Sequence, residues 1–176
     1  MPKLTDDEVS AFLAEPGHLL RVATVDADGM PRNVPIWYVL HEGRIVFTPR
    51  LHSVFLANLM RDPRVGLTID EEPLPYRKVT VQGRAELLYA PGADDEWRDL
   101  YRAIASRYVP VEAAEAYVQN TIDQPRALLG VSLAAPGHKV LTWRMPVDDE
   151  DPTGIWARRY FLDGTYMAKL ADGVTE

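Results

Sequence analysis

The feature that most constrains this chain is the order of segments in its N-terminal half: strand-like runs joined by tight turns, then a short helix, then another strand. Residues 18–26 are rich in β-branched and aliphatic side chains, and the Asp28-Gly29 pair that follows suits the positive φ angles of a hairpin turn. Residues 30–41 are therefore expected to return antiparallel to the first run. Glu42-Gly43 is the next turn candidate, and residues 44–48 continue the meander.

The pattern changes period after the third run. Residues 53–60 carry apolar side chains at helical spacing, Asp62-Pro63 closes this segment, and residues 64–70 resume a strand. His52 or Ser53 occupies the N-cap position, so the first free backbone N–H groups of the helix point back toward the end of the third strand. Such a corner is a natural anion site. The whole order predicts a small β-barrel with a helix packed into it.

Later segments extend this barrel. Residues 77–89 predict a long strand with a bulge or bend at Gly83. An N-terminal helix is expected from the capping box that Thr5 and Glu8 form. Periodicity and apolar runs predict two further helices and two last strands, at residues 94–108, 111–123, 126–134 and 139–144.

The chain is long enough for one domain with a sizeable core, since it has 176 residues of which 47% are hydrophobic. We expect the barrel to occupy residues 1–144. Residues 145–176 form a tail in which the Asp163-Gly164 turn predicts a hairpin. The aromatic side chains of this tail need a surface to pack on, either the chain's own barrel or a dimer interface.

Composition excludes several classes of function. The formal net charge is −7, which argues against a general nucleic-acid or anionic-membrane binder. There is no cysteine, so disulfides, thiolate metal sites and cysteine nucleophiles are excluded, and the four histidines lack metal-ligand spacing. The opening residues contain acidic groups and no long apolar run, which fits neither a signal peptide nor a membrane span. We therefore expect a cytoplasmic protein without a metal site.

Four ordered pieces of the sequence carry a family resemblance. They are RVATVDADGMPRNVPIWYV at 21–39, RIVFTPRLHSVFLANLMRDPRVGLTID at 44–70, VTVQGRAELL at 79–88 and VLTWR at 140–144. With them the chain resembles the pyridoxamine 5'-phosphate oxidase-like split-barrel superfamily, whose members bind FMN or the deazaflavin coenzyme F420. The resemblance implies a mainly β fold with flanking helices, a split β-barrel, and a homodimer that holds the cofactor at its subunit interface.

The resemblance also implies a set of cofactor-binding residues. Those on the second strand would line the isoalloxazine ring, although they are also ordinary barrel residues: Asn33, Val34, Pro35, Ile36 and Trp37. Those at the end of the third strand and in the following helix would contact the ring, the ribityl chain or the phosphate: Thr48, Pro49, Arg50, His52, Ser53 and Asn58. Tyr76, Arg77 and Trp143 would approach the cofactor across the dimer interface, with a core aromatic role as the alternative for Trp143.

The chain departs from the family at two positions after Ser53. Many members carry a lysine and then an arginine where this chain has Phe55 and Ala57. Each lost charge-assisted hydrogen bond is worth about 1.5 to 3 kcal/mol, so phosphate binding would weaken by a factor of about ten to a hundred per contact. Four cationic or ionisable side chains are candidates for compensation: Arg50, His52, Arg77 and Lys78.

These observations favour an oxidoreductase that uses FMN or F420 on a small organic molecule. The cofactor supplies the hydride chemistry in such enzymes, so no catalytic residue is named, and Tyr38, His52 and Tyr76 are the proton-donor candidates. One alternative is a binding protein that holds flavin or haem without turnover, with His52 as a possible axial ligand. Another is a degenerate barrel that acts as a scaffold and binds no ligand.

Overall fold

The computed structural model describes residues 2–146, which form two antiparallel sheets with four α-helices. The helices are α1 Asp6–Ala14, α2 Val54–Arg61, α3 Arg98–Ser106 and α4 Val111–Asn120. The strands are β1 Leu20–Val25, β2 Pro31–Ile36, β3 Tyr38–His41, β4 Arg44–Phe47, β5 Arg64–Asp70, β6 Lys78–Arg84, β7 Glu86–Tyr89, β8 Leu128–Ser132 and β9 Lys139–Trp143. The expected hairpin in the tail falls on residues that lie outside the described part, so the tail and the domain boundary at residue 144 stay predictions.

The two sheets have the orders β2-β1-β5-β6-β9 and β3-β4-β8-β7. The meander of β1 and β2 and of β3 and β4 is confirmed, with Val22 opposite Val34 and Val39 opposite Val46. Along β1 and β5 the buried side chains alternate with exposed or half-buried ones, as expected for strands with one face on a core. Among residues 2–146 no helix has the length and apolar character that crossing a membrane requires.

Two long strands of the sequence interpretation are each divided between the sheets. The run at 30–41 breaks at Trp37, where the chain stops pairing with β1 and begins pairing with β4. The run at 77–89 breaks at Ala85, between β6 in one sheet and β7 in the other. The apolar pattern of the sequence continues through both breaks, so it does not mark them. The packing of the two sheets decides where each strand changes its partner.

Gly83 does not form the predicted bulge. It pairs in register with Val65, and the bend comes two residues later. A Cβ atom at position 83 would lie 2.8 Å from Nδ1 of the His138 ring, so glycine is needed there for close approach. That ring connects the two sheets, because its Nε2 accepts from the Arg84 N–H at 3.0 Å and its Nδ1 lies 2.7 Å from the Ser132 carbonyl.

The core lies between the inner faces of the sheets and α1. The capping box is confirmed: the Thr5 hydroxyl accepts from the Glu8 N–H and the Glu8 carboxylate accepts from the Thr5 N–H. The α1 side chains Phe12 and Leu13 are fully buried, and the buried Tyr38 hydroxyl donates to the Leu13 carbonyl at 3.0 Å.

The α3–α4 hairpin is fixed to the rest of the molecule by polar contacts. The Arg107 guanidinium donates to the carbonyls of Leu13, Ala14 and Glu15 at the end of α1. The Tyr108 hydroxyl donates to the His18 carbonyl at 2.7 Å. These bonds hold the hairpin over the point where the chain passes from one sheet to the other.

Candidate functional site

A cleft of about 370 Å³ opens between the α3–α4 hairpin and the break between β2 and β3. Its lining combines four of the predicted cofactor residues with four others: Pro35, Ile36, Trp37 and Thr48, and Leu19, Tyr101, Tyr117 and Arg126. The structure thus brings the end of β2 and the end of β4 to one cavity. This cavity is the candidate site.

The indole of Trp37 forms the flat wall of the cleft. It stacks on Tyr108 with 5.2 Å between ring centroids and 5° between ring planes, and Tyr117 meets it edge-on at 5.2 Å. The Tyr108 ring is itself fixed, because its hydroxyl also accepts the Tyr38 N–H at 3.2 Å. A preformed aromatic wall of this kind suits a planar ligand.

Arg126 is the charged group of the cleft. It is only 5% exposed, and its guanidinium lies over the Tyr101 ring at 4.7 Å and the Tyr117 ring at 5.8 Å. Its Nη1 donates to the Thr48 carbonyl at 3.4 Å and its Nη2 to the Tyr117 hydroxyl at 3.3 Å. Both bonds are long, and Nε has no hydrogen-bond partner among the described residues.

The phenol of Tyr117 lies beside positive charge. Burial acts to raise its pKa, but hydrogen bonding with Tyr101 and the charge of Arg126, with a contribution from Arg50, lowers the pKa of Tyr117 below its usual value. Burial raises the pKa of Tyr101 to about 12. The positive charge beside its phenol makes Tyr117 a candidate proton donor in the cleft.

The corner between β4 and α2 keeps its helix N-terminus open. Ser53 occupies the N-cap position but makes no side-chain cap bond, because its hydroxyl donates to the Arg50 carbonyl at 2.8 Å. Arg50 and His52 are exposed, and Pro49 is buried with its carbonyl accepting the Ala127 N–H. The free N–H groups and Arg50 leave this corner able to receive an anion.

The two departures from the family differ in burial. Phe55 is 8% exposed and belongs to the main core, whereas Ala57 on the same helix is exposed. Position 55 thus contributes to packing, and position 57 leaves the surface near the corner uncharged.

The remaining predicted residues lie apart from the cleft or are engaged elsewhere. On β2, Asn33 is exposed and Val34 packs against the core. Tyr76 precedes β6, and Lys78 on β6 places its ammonium 5.2 Å from the Trp143 ring centroid. Strands β1 and β5 separate β6 and β9 from β2, so one chain does not bring Tyr76 or Trp143 to the cleft. Their contact with a cofactor across an interface stays a prediction.

Arg77 belongs to a separate cluster that the sequence did not reveal. Its guanidinium donates to Glu15 at 2.7 and 2.8 Å and to Glu71 at 2.8 and 2.6 Å, and it lies 4.7 Å from the centroid of the Phe12 ring. Glu15, Glu71 and His18 offer ligand atoms within 4.8 Å of one another, a grouping that is able to hold a metal ion. Because Arg77 already supplies positive charge to both carboxylates, the cluster is better suited to joining α1 to the start of β6.

Asn58 joins α2 to the β1–β2 turn. Its Nδ2 donates to Thr24 at 3.1 Å and to the Asp26 carboxylate at 2.6 Å, and its Oδ1 accepts from Arg61 at 3.2 Å. With its amide engaged and buried, it has a structural role that the resemblance did not indicate. Its predicted role as a cofactor residue is untested.

We expect Asn58→Ala to lower the free energy of unfolding by about 1–3 kcal/mol, because it leaves the buried Thr24 hydroxyl and the Asp26 carboxylate without their amide donor. Urea unfolding measures the change. Met60→Ala, an exposed change to alanine on the same helix, is the control and should change the free energy of unfolding by less than about 0.5 kcal/mol. A loss for Asn58→Ala no larger than that of the control contradicts the structural role.

The sequence did not single out Arg126, Tyr101 or Tyr117 as site residues. Tyr101 and Tyr117 occur at helical spacing and therefore look like core aromatics, and Arg126 begins a predicted strand. Only the packing of α3 and α4 against the end of β4 brings the three together.

Comparison with known proteins places the chain in a family. A sequence model of the pyridoxamine 5'-phosphate oxidase family matches residues 5–135, well over half of the chain. No curated protein matches it.

Solved structures with related folds include proteins of several binding functions. The conserved hypothetical protein Rv2991 of Mycobacterium tuberculosis has a TM-score of 0.61 and 21% identity over 84% of this chain and 94% of its own. A FAD and haem binding protein of Mycobacterium smegmatis has a TM-score of 0.59 and 19% identity over 86% and 78% of the two chains. An F420 reductase has a TM-score of 0.53 and 20% identity over 79% and 98%. These likenesses support the fold, and the family match shows that the chain belongs to the pyridoxamine 5'-phosphate oxidase family.

Proposed function

We propose that this protein binds a flavin-type cofactor, FMN or F420, in the cleft beside Trp37 and uses it to oxidise or reduce a small organic molecule. The observation that carries the proposal is the convergence of Pro35, Ile36, Trp37 and Thr48, predicted from the resemblance, on one cavity with a flat aromatic wall. Among the structural relatives, a FAD and haem binding protein and an F420 reductase support a cofactor of this kind.

The residues present fit the parts of such a cofactor. Trp37 offers a stacking surface for the ring system, and the break between β2 and β3 leaves Trp37 outside both ladders. Arg50 and the uncapped start of α2 offer a charge and N–H groups to a phosphate. The cofactor would supply hydride transfer, while these residues orient it and Tyr117 holds a proton near the ring.

We expect FMN to bind through Arg50, so Arg50→Ala should weaken FMN binding by about 10- to 100-fold, the worth of a charge-assisted hydrogen bond. The affinity for riboflavin, which lacks the phosphate, should fall much less in the same variant. Titrations of FMN, riboflavin and F420 followed by quenching of tryptophan fluorescence measure the three affinities. Arg84→Ala, which removes an exposed arginine at the far end of β6, should change none of them.

Failure of all three cofactors to bind would contradict the flavin proposal and favour the scaffold alternative. If FMN binds the Arg50→Ala protein as strongly as the unmodified protein, the flavin proposal stands, but groups other than Arg50 bind the phosphate.

A haem-binding protein is the second candidate. His52 is exposed at the β4–α2 corner and hydrogen-bonds nothing among residues 2–146, so its imidazole is available as an axial ligand. An intense Soret band after haem addition that is lost in His52→Ala would favour this candidate. A flavin spectrum in the purified protein would favour the first.

We also propose that the functional unit is a homodimer. Trp143 on β9 and Tyr76 just before β6 lie toward the edge of the five-stranded sheet opposite β2, so a second copy would be needed to bring them to the cofactor. Light scattering on the purified protein tests the proposal, and a monomer that binds the cofactor with full affinity would overturn it.

A further inference from the structure

We propose that Arg126, with Arg50 beside it, is the binding site for an oxyanion, the phosphate or carboxylate group of a planar ligand that enters the cleft along Trp37. The proposal deepens the proposed function by naming the chemical class of the ligand. It rests on that function only for the identity of the cleft, because anion binding is measurable without any flavin.

The first argument is that the Arg126 guanidinium is buried without an ion pair, while the Asp94 carboxylate accepts the Arg126 backbone N–H at 2.9 Å. Within residues 2–146 no carboxylate forms an ion pair with this guanidinium, and only two of its five N–H groups have partners, at 3.3 and 3.4 Å. An uncompensated charge that is removed from water is costly, and two tyrosine faces offset only part of that cost. An oxyanion in the cleft would supply the missing partner.

The second argument is that this arginine differs from most of the other arginines in residues 2–146. The protein is acidic, with 26 carboxylate residues against 19 basic ones, and arginines find carboxylate partners readily. Seven arginines form such pairs within the described residues: Arg21, Arg32, Arg44, Arg64, Arg77, Arg98 and Arg102. Arg126 is more deeply buried than any of them, yet its guanidinium forms no such pair, and the Asp94 carboxylate accepts its backbone N–H at 2.9 Å.

The third argument is that a second unpaired arginine lies directly opposite. Arg50 and Arg126 form an antiparallel bridge, and residues opposite each other in such a bridge project their side chains from the same face. Two like charges placed opposite each other repel. Within the described residues Arg50 also forms no ion pair with a carboxylate. Arg126 donates to the Tyr117 hydroxyl and Arg50 contributes to the lowered pKa of the same phenol, so with the backbone bridge both arginines lie near the Tyr117 end of the cleft.

The shape of the cleft indicates what carries the anion. Trp37, Pro35 and Ile36 give the cavity an apolar surface, and Tyr117, which meets the Trp37 ring edge-on, carries the hydroxyl that accepts from Arg126. A conjugated or aromatic body with a terminal oxyanion fits this pairing of surfaces. The oxyanion is either the cofactor's own phosphate or an acidic group of the substrate.

The test begins with inorganic phosphate and acetate added to the flavin-free protein at constant ionic strength, with sodium chloride as the reference. Tryptophan fluorescence and thermal unfolding report binding. We expect saturable binding of phosphate that weakens at least tenfold in both Arg126→Gln and Arg50→Gln. Arg84→Gln, which removes an exposed arginine outside the cleft, should bind phosphate as the unmodified protein does.

Arg50 is exposed, so the Arg50→Gln protein should fold even if the buried substitution at Arg126 does not, and Arg126→Lys then replaces the glutamine variant. Phosphate that acts no differently from chloride, or that binds Arg50→Gln and the position-126 variant as well as the unmodified protein, would overturn the proposal.

Two further titrations identify the source of the anion. The site receives the cofactor's phosphate if three results are obtained together. FMN binds more tightly than riboflavin, FMN displaces inorganic phosphate, and the difference in affinity between FMN and riboflavin disappears in the Arg126 variant. If phosphate binds equally well in the presence of saturating FMN, the site receives an acidic substrate. Phosphate binding without any flavin binding would support the anion site and contradict the proposed function.

Discussion

Replacing Phe55 by lysine is expected to lower the free energy of unfolding by about 3–5 kcal/mol, although a basic residue is what the family resemblance leads one to expect there. The Phe55 ring is 8% exposed and belongs to the main core, next to the buried α2 side chains Leu56 and Leu59. The substitution removes the aromatic ring from this packing and brings an ammonium group toward it, and both effects are unfavourable. Urea denaturation, with its midpoint and slope, measures the loss.

Ala57→Arg is the matched control on the same helix. Position 57 is exposed, so the added side chain should change the stability by less than about 0.5 kcal/mol. It also places a cation near the start of α2, and we expect FMN to gain about tenfold over riboflavin. A Phe55→Lys protein that is as stable as the Ala57→Arg protein would contradict the assignment of Phe55 to the core.

The sequence predicted the elements of the fold that depend on neighbouring residues. The capping box of Thr5 and Glu8 and the hairpin turn after β1 rest on contacts within a few positions, and both are present in the structure. The sheet changes at Trp37 and Ala85 were not predictable, because the same strand-like composition continues through each of them. Which sheet a residue joins depends on partners far away in the chain.

The residues of the candidate site also fall into those that the sequence located and those whose contacts depend on distant packing. The four predicted residues that line the cleft lie at the ends of β2 and β4, and the resemblance located them. Tyr117 lies on α4 and Arg126 lies just before β8. Their contact depends on how the α3–α4 hairpin packs. The engagement of Arg77 with Glu15 was equally hidden, because 62 positions separate the two residues.

Arg77→Ala is expected to lower the free energy of unfolding by about 3 kcal/mol at pH 7, because it leaves the carboxylates of Glu15 and Glu71 facing each other without their shared cation. The Glu71 side chain is 6% exposed, so solvent compensates it poorly. Arg102→Ala is the matched control: this arginine also bridges two carboxylates, but those of Asp99 and Glu115 are 99% and 43% exposed. That control should lose no more than about 1 kcal/mol.

The effect of Arg77 should also depend on pH. Hydrogen bonds from Arg77 hold the pKa values of Glu15 and Glu71 below their usual value of 4.5. A carboxyl group whose pKa is lowered by folding contributes its full stability above the unfolded value and loses it as the pH falls through the folded value. The unmodified and Arg77→Ala proteins should therefore differ most at neutral pH and converge below about pH 4, where the carboxylates take up protons. A difference that stays constant from pH 7 to pH 3 would mean that Arg77 acts through its packing on Phe12 and not through the two carboxylates.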